Sequence, residues 1–175
     1  MNRPVLNRDY IRNHTHGNVA DTNQFEVDEP FPRFEGIEDG VFDGDFLPNL
    51  EELNLVDMNI GDLSFFHDLP SLDYLTLLDN VVTDITPLSI ANMPKLAELY
   101  LTNNNITHLP ENMHFPNLRI LDLTNNNIQS FEPLRSANMP NLQEIIAEGN
   151  PGYTDAQEIL NMVGTNRYRI KNAAV

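Results

Sequence analysis

Leu96-Ala97-Glu98-Leu99-Tyr100-Leu101-Thr102-Asn103-Asn104-Asn105-Ile106 decides the fold of this chain. Apolar anchors stand at Leu96, Leu99, Leu101 and Ile106, with Asn104 between the last two. The same spacing returns on either side, as Leu72, Leu75, Leu77, Asn80, Val82 and as Leu118, Leu121, Leu123, Asn126, Ile128. Two outer copies are less regular: Leu50, Leu53, Leu55, Ile60, and Leu142, Ile145, Ala147, Asn150. A proline precedes each first anchor by two residues (Pro48, Pro70, Pro94, Pro116, Pro140), itself preceded by Leu47, Leu69, Met93, Phe115 or Met139. The first anchors lie 22, 24, 22 and 24 residues apart. Pro87-Leu88-Ser89-Ile90-Ala91-Asn92-Met93-Pro94 returns 46 residues later as Pro133-Leu134-Arg135-Ser136-Ala137-Asn138-Met139-Pro140, which suggests growth by duplication of a pair. One copy would be a weak signal; five in register indicate a repeat architecture.

The chemistry of each position explains the spacing. In a strand, residues two apart point to one face, so each Leu-x-Leu buries both leucines while the residue between them and those flanking them face solvent. Stacked copies then form a parallel sheet. Asn80, Asn104, Asn126 and Asn150 suit a turn, because one amide offers two donors and an acceptor to its own turn and the next coil; stacked, they form a ladder. Met58 occupies the corresponding place in the first copy, with Asn59 one place later, so the ladder is irregular there. Leu63, Ile85, Leu109 and Phe131 close the core from the far side.

Leu-x-x-Leu-x-Leu-x-x-Asn-x-Leu resembles the leucine-rich repeat family, over residues 47–152, about three fifths of the chain. The block spacing is similar to the short intracellular class, which includes the nuclear regulatory subunit of protein phosphatase 1, the spliceosomal A-prime protein and a dynein light chain. The resemblance implies an α/β fold: a right-handed solenoid with short parallel strands on its concave face, short helical or irregular convex segments, and a cap at each end. It also implies a non-catalytic protein-binding module that needs no cofactor.

Around the five repeats of 47–152 the chain divides into three further parts. Residues 1–24 read as a polar arm. Residues 25–46 read as an acidic N-terminal cap or degenerate repeat: the stretch 20–46 has nine acids and one base, yet Phe25, Phe31, Phe34, Ile37, Phe42 and Phe46 make it too aromatic for disorder. Residues 153–175 read as the C-terminal cap, a short helix over 156–163 capped by Thr154 or Asp155 and ended by Gly164, followed by a strand within Arg167-Tyr168-Arg169-Ile170-Lys171.

The strand residues that alternate with the leucines form three columns. They are Glu52, Tyr74, Glu98, Ile120, Glu144; then Asn54, Thr76, Tyr100, Asp122, Ile146; then Val56, Leu78, Thr102, Thr124, Glu148. Tyr74, Tyr100, Ile120 and Ile146 form an apolar spine suited to contact area. Glu52, Glu98, Asp122, Glu144 and Glu148 would steer and pair a partner's Lys or Arg. In the first column the glutamates alternate with Tyr74 and Ile120. They are therefore two strands, roughly 10 Å, apart, near the screening length at 0.1 M salt. The expected partner is another protein with a basic or mixed apolar and basic element.

Composition narrows the alternatives. The 175 residues carry 26 acidic side chains and 10 Lys or Arg, a formal net charge of −16. Phosphate backbones and anionic lipid are repelled by such a charge. The tail Arg167, Arg169, Lys171 is a locally positive exception, better suited to pairing with the acidic body. With no cysteine, a disulfide framework, a thiolate zinc site and a Cys nucleophile are excluded. Asp39, Asp43 and Asp45 lack EF-hand spacing, and His14 and His16 have no further ligand near them in sequence, so no metal is expected. No phosphate-cradling glycine loop and no nucleophile–base spacing suggest an enzyme. Met1 to Asp9 has no signal-peptide core and no apolar run approaches about 18 residues, so an intracellular, cytoplasmic or nuclear, protein is expected. Asn13-His14-Thr15 and Asn105-Ile106-Thr107 are then chance glycosylation sequons. Two other readings share the fold: a fixed structural subunit of a larger assembly, and a pathogen effector or viral decoy using the same surface.

Overall fold

A computed structural model describes residues 5–14, 21–26, 36–154, 159 and 169–170. Its centre is one parallel sheet of seven short strands in a solenoid of about five turns. In spatial order these are β2 (Gln24–Glu26), β4 (Glu52–Asn54), β5 (Tyr74–Thr76), β6 (Glu98–Tyr100), β7 (Ile120–Asp122), β8 (Glu144–Ile146) and β9 (Arg169–Ile170). Each strand is only three residues long, or two in β9. Its middle residue is the inward-pointing anchor of the repeat: Leu53, Leu75, Leu99, Leu121 and Ile145 pair in register across the sheet and are at most 1% exposed. The second anchors, Leu55, Leu77, Leu101, Leu123 and Ala147, are fully buried.

The return segments carry little regular structure. Helix α2 (Thr86–Ile90) starts with Pro87 in its first turn, where a missing N–H costs nothing, and buries Leu88. The segment Glu132–Arg135, one duplication later, forms a 3-10 turn on the same Pro-Leu pair. Leu63, Ile85, Leu109 and Phe131 are buried from this side.

Polar satisfaction of the buried turn runs through four asparagines. Asn104 shows the pattern: its Oδ1 accepts the amide of Val82 in the preceding coil at 2.9 Å. Its Nδ2 donates to Leu77 O in that coil at 2.8 Å, and to Leu101 O and Thr102 O in its own at 3.1 and 3.3 Å. Asn80, Asn126 and Asn150 repeat this arrangement. Met58 does not open a gap in it. Its amide and that of Ile60 both donate to Asn80 Oδ1, at 3.0 and 2.9 Å, and the Met58 side chain joins the core.

A second ladder runs outside the first. The residue before each ladder position (Asp57, Asp79, Asn103, Asn125, Gly149) has a left-handed backbone, φ 52 to 74°. Asp, Asn and Gly are the residues that tolerate it. Asn103 Nδ2 donates to Asp79 Oδ1 at 2.7 Å, and Asn125 Nδ2 to Asn103 Oδ1 at 2.8 Å. The row stops at Gly149, where a Cβ would fall on the Asn125 amide oxygen.

Part of the N-terminal segment carries regular structure. Strand β1 (Val5–Leu6) pairs in parallel with β3 (Gly36–Ile37), apart from the main sheet. Helix α1 (Arg8–His14) follows, with Asn7 Oδ1 accepting the Tyr10 amide as its N-cap. Leu6 and Ile11 are fully buried in the common core. The guanidinium carbons of Arg8 and Arg12 lie 4.9 and 5.1 Å from the centre of the Phe46 ring, and Arg8 Nη2 donates to Gly40 O at 2.9 Å. Two apolar residues, too few to show a period, tie this segment to the core. The main sheet begins with β2 at Gln24, whose register partner is Glu52. Phe31 and Phe34 lie outside the described residues. So does the C-terminal helix expected over 156–163, apart from Ile159, which is helical and buried.

Close stacking makes a glycine prediction. A Cβ on Gly152 would stand 2.5 Å from Gln129 O and 2.6 Å from its carbonyl carbon, both backbone atoms of the preceding coil. A Cβ on Gly61 meets nothing nearer than the Val81 methyl at 3.6 Å. Gly152→Ala should therefore destabilise by about 1–3 kcal/mol, the range of core overpacking. Gly61→Ala should leave the thermal midpoint within about 2 °C of the parent, since exposed substitutions usually change stability by under about 0.5 kcal/mol. Equal midpoints for the two variants would contradict the coil spacing described.

Candidate functional site

The outward residues of the strands form a continuous surface because the sheet is in register. Glu52, Tyr74, Glu98, Ile120 and Glu144 are successive partners in one row, and Asn54, Thr76, Tyr100, Asp122 and Ile146 in the next. The third row follows the strands: the carbonyls of Leu78, Thr102, Thr124 and Glu148 accept the amides of Asp57, Asp79, Asn103 and Asn125. The first row continues in register to Gln24 at one end and Arg169 at the other.

Two aromatic side chains meet at its centre. Tyr74 and Tyr100 stand on adjacent strands one row apart, with ring centroids 5.4 Å apart and planes inclined by 41°, a favourable tilted contact. Tyr100 Oη donates to Glu98 Oε2 at 2.9 Å. The other oxygen, Glu98 Oε1, lies 3.9 Å from Arg119 Nη2, a loose and partly exposed pair. Tyr74, Glu98, Tyr100, Ile120, Asp122, Glu144, Ile146 and Glu148 are half-buried, and Glu52 is exposed. Thr76 departs from the open rows expected for it: it is 3% exposed and cannot offer contact area. Asn80, Asn104, Asn126 and Asn150 lie beneath the surface and serve the coils.

Burial, followed by the hydrogen bond to Glu98 and its negative charge, pushes the Tyr100 phenol well above its ordinary value near 10. The folded protein thus holds this proton more tightly than the unfolded chain. The associated stability is fully present below pH 10 and declines as pH rises above it. In an alkaline absorbance titration Tyr100 should ionise late, and Tyr100→Phe should remove that late step. An unchanged profile in Tyr100→Phe would contradict the Tyr100–Glu98 contact.

Among the described residues no three His, Asp or Glu side chains are grouped to hold a metal. Among them, too, no helix is long and apolar enough to cross a membrane.

Sequence reasoning missed the left-handed Asp, Asn and Gly row beside this surface, although its signal was present: one of these residues precedes every ladder position. It also missed the loose Glu98–Arg119 pair, since Arg119 lies outside the alternating columns.

Comparison with known proteins agrees with the architecture. No curated protein matches the chain significantly. A two-copy leucine-rich repeat model matches residues 48–90, and a second leucine-rich repeat model matches residues 94–151. Domains of this kind generally mediate protein–protein interaction and are typically not enzymes. With repeats matched over more than half of its length and a stacked parallel sheet beneath them, the chain belongs to the leucine-rich repeat family.

Proposed function

We propose that the chain is a non-catalytic binding module whose strand face receives one element of a partner protein. The observation that carries this reading is the half-buried Tyr74–Tyr100 pair, set among Glu52, Glu98, Asp122, Glu144 and Glu148. Tyrosines supply rigid contact area at low entropic cost, and desolvated aromatic centres ringed by polar groups are the usual energetic anchors of interfaces. Ile120 and Ile146 extend the apolar area along neighbouring strands. The flanking carboxylates select a partner that presents Lys or Arg beside an apolar residue. The chain's net charge of −16 favours the same partner at long range.

Quantitative affinity capture from native lysate tests this. Wild type is compared with a Tyr74→Ser, Tyr100→Ser, Ile120→Ser variant shown by circular dichroism to be folded. A protein enriched about tenfold or more by wild type and lost with the variant is the expected result, since interface hot spots cost about 2 kcal/mol or more each. Identical captures would show the face to be ordinary sheet surface. Association should also slow as salt rises, because the carboxylates are exposed enough to be screened.

A further inference from the structure

The solenoid has a second surface away from the strand face, on the return segments of the first coils. A groove opens there between the turn Asp43–Asp45 and the end of α2, with Phe66, Pro70 and Pro87 along its walls. Ile90 stands at its edge and is 79% exposed, although the helix buries Leu88 on its other side. The rim is fixed by close backbone contact. Gly44 N donates to Asp68 O at 2.6 Å, and a Cβ on Gly44 would come within 2.7 Å of Pro70 Cδ.

Among the described residues, the carboxylates that line this groove, Asp43, Asp45 and Asp68, have no lining Lys or Arg to offset them. Asp43 Oδ1 accepts the Asp45 amide, and His67 is engaged by Asp39 at 2.6 Å. Among the described residues the Asp45 and Asp68 carboxylates have no such engagement. An exposed aliphatic side chain beside two unengaged carboxylates matches a ligand that is apolar and cationic at once. A second copy of the chain is a poor occupant, because a self-complementary contact here would set aspartates against aspartates. Anionic lipid is repelled for the same reason.

We propose that this groove is a second docking site, for a short basic segment of a partner protein that packs an aliphatic residue on Ile90 and sets Lys or Arg between Asp45 and Asp68. The site is separate from the strand face and does not rest on that reading.

Titration of the 15N-labelled full chain with an acetylated hexapeptide, Gly-Arg-Leu-Arg-Ile-Gly amide, at low salt tests the proposal. The expected result is saturable movement of the amide signals of Ser64, Asp68, Ile90, Ala91 and Asn92. Ile90→Asp, a change at an exposed position, and Asp45→Lys with Asp68→Lys should each weaken binding about tenfold or more. Gln129→Ala, at an exposed position outside both surfaces, should leave it unchanged, and a peptide with Glu in place of Arg should not bind. Shifts confined to strand-face residues would overturn the proposal. So would saturable binding unaffected by both groove variants, or no saturable shift up to millimolar peptide.

Discussion

Asn104→Ala is expected to cost about 3 kcal/mol of stability, although it removes only one small side chain. Asn104 is 6% exposed, so water cannot easily replace what is lost. The Val82 amide, which has Asn104 Oδ1 as its acceptor at 2.9 Å, becomes a buried unsatisfied donor, at about 1–3 kcal/mol. Three carbonyls each lose one donor, but each keeps a second, Leu77 O from Asn80, Leu101 O from Asn126 and Thr102 O from the Asp79 amide, which moderates the loss. Asn104→Asp distinguishes the two halves of the amide. A carboxylate still accepts from Val82 but faces the oxygens of Leu77, Leu101 and Thr102. It should be at least as damaging at pH 7, and should recover as pH falls toward about 4, because burial against carbonyl oxygens raises the folded-state pKa above the unfolded value and the protonated acid becomes a donor. The deficit of Asn104→Ala should not change in that range. Urea unfolding at the two pH values reads both effects. Equal pH behaviour in the two variants would contradict the assignment of Nδ2 to the carbonyls.

Phe42→Ala should cost about 3–5 kcal/mol, the range for a fully buried phenylalanine. Phe42 is 0% exposed and lies within 6.0 Å of the Phe25 ring centre, 5.9 Å of Phe65 and 6.2 Å of Phe66. It therefore joins the first strand, the cap and the first return segment. Its loss opens the end of the stack, where each coil has a neighbour on one side only. Amide exchange should then rise at Leu53 and Leu55 more than at Leu121 and Leu123. Uniform acceleration along the chain would show that Phe42 serves the whole fold and not its end.

These effects mirror what could be read before the structure was known. The strands from Glu52 to Ile146 were legible because a repeating core demands a repeating spacing: every Leu-x-Leu must put two side chains inside. The rows facing solvent followed from the same alternation. The N-terminal end was not legible, because a cap is fitted once and has no period. Leu6 and Ile11 come from one stretch, Val41 and Phe42 from another some thirty residues on, and all four join one core. Met58 looked like a break in the ladder, but the amide it leaves is taken by Asn80 of the next coil. Thr76 looked open because alternation indicates which face a residue occupies, not how deep it sits there. The groove beside Ile90 was invisible for a third reason. Its walls come from three successive stretches, 43–45, 64–70 and 87–92, and no local pattern places them together.

Site-specific photo-crosslinking tests the proposed role of the strand face most directly. A photoreactive amino acid is placed at Thr102, at Thr124 and, as a control on the return side, at the exposed Gln129. The variants are irradiated in native lysate at physiological salt. The account predicts one defined protein adduct from positions 102 and 124, suppressed in a Tyr74→Ser background, and none of that adduct from position 129. The same adduct from position 129, with none from 102 or 124, would contradict it.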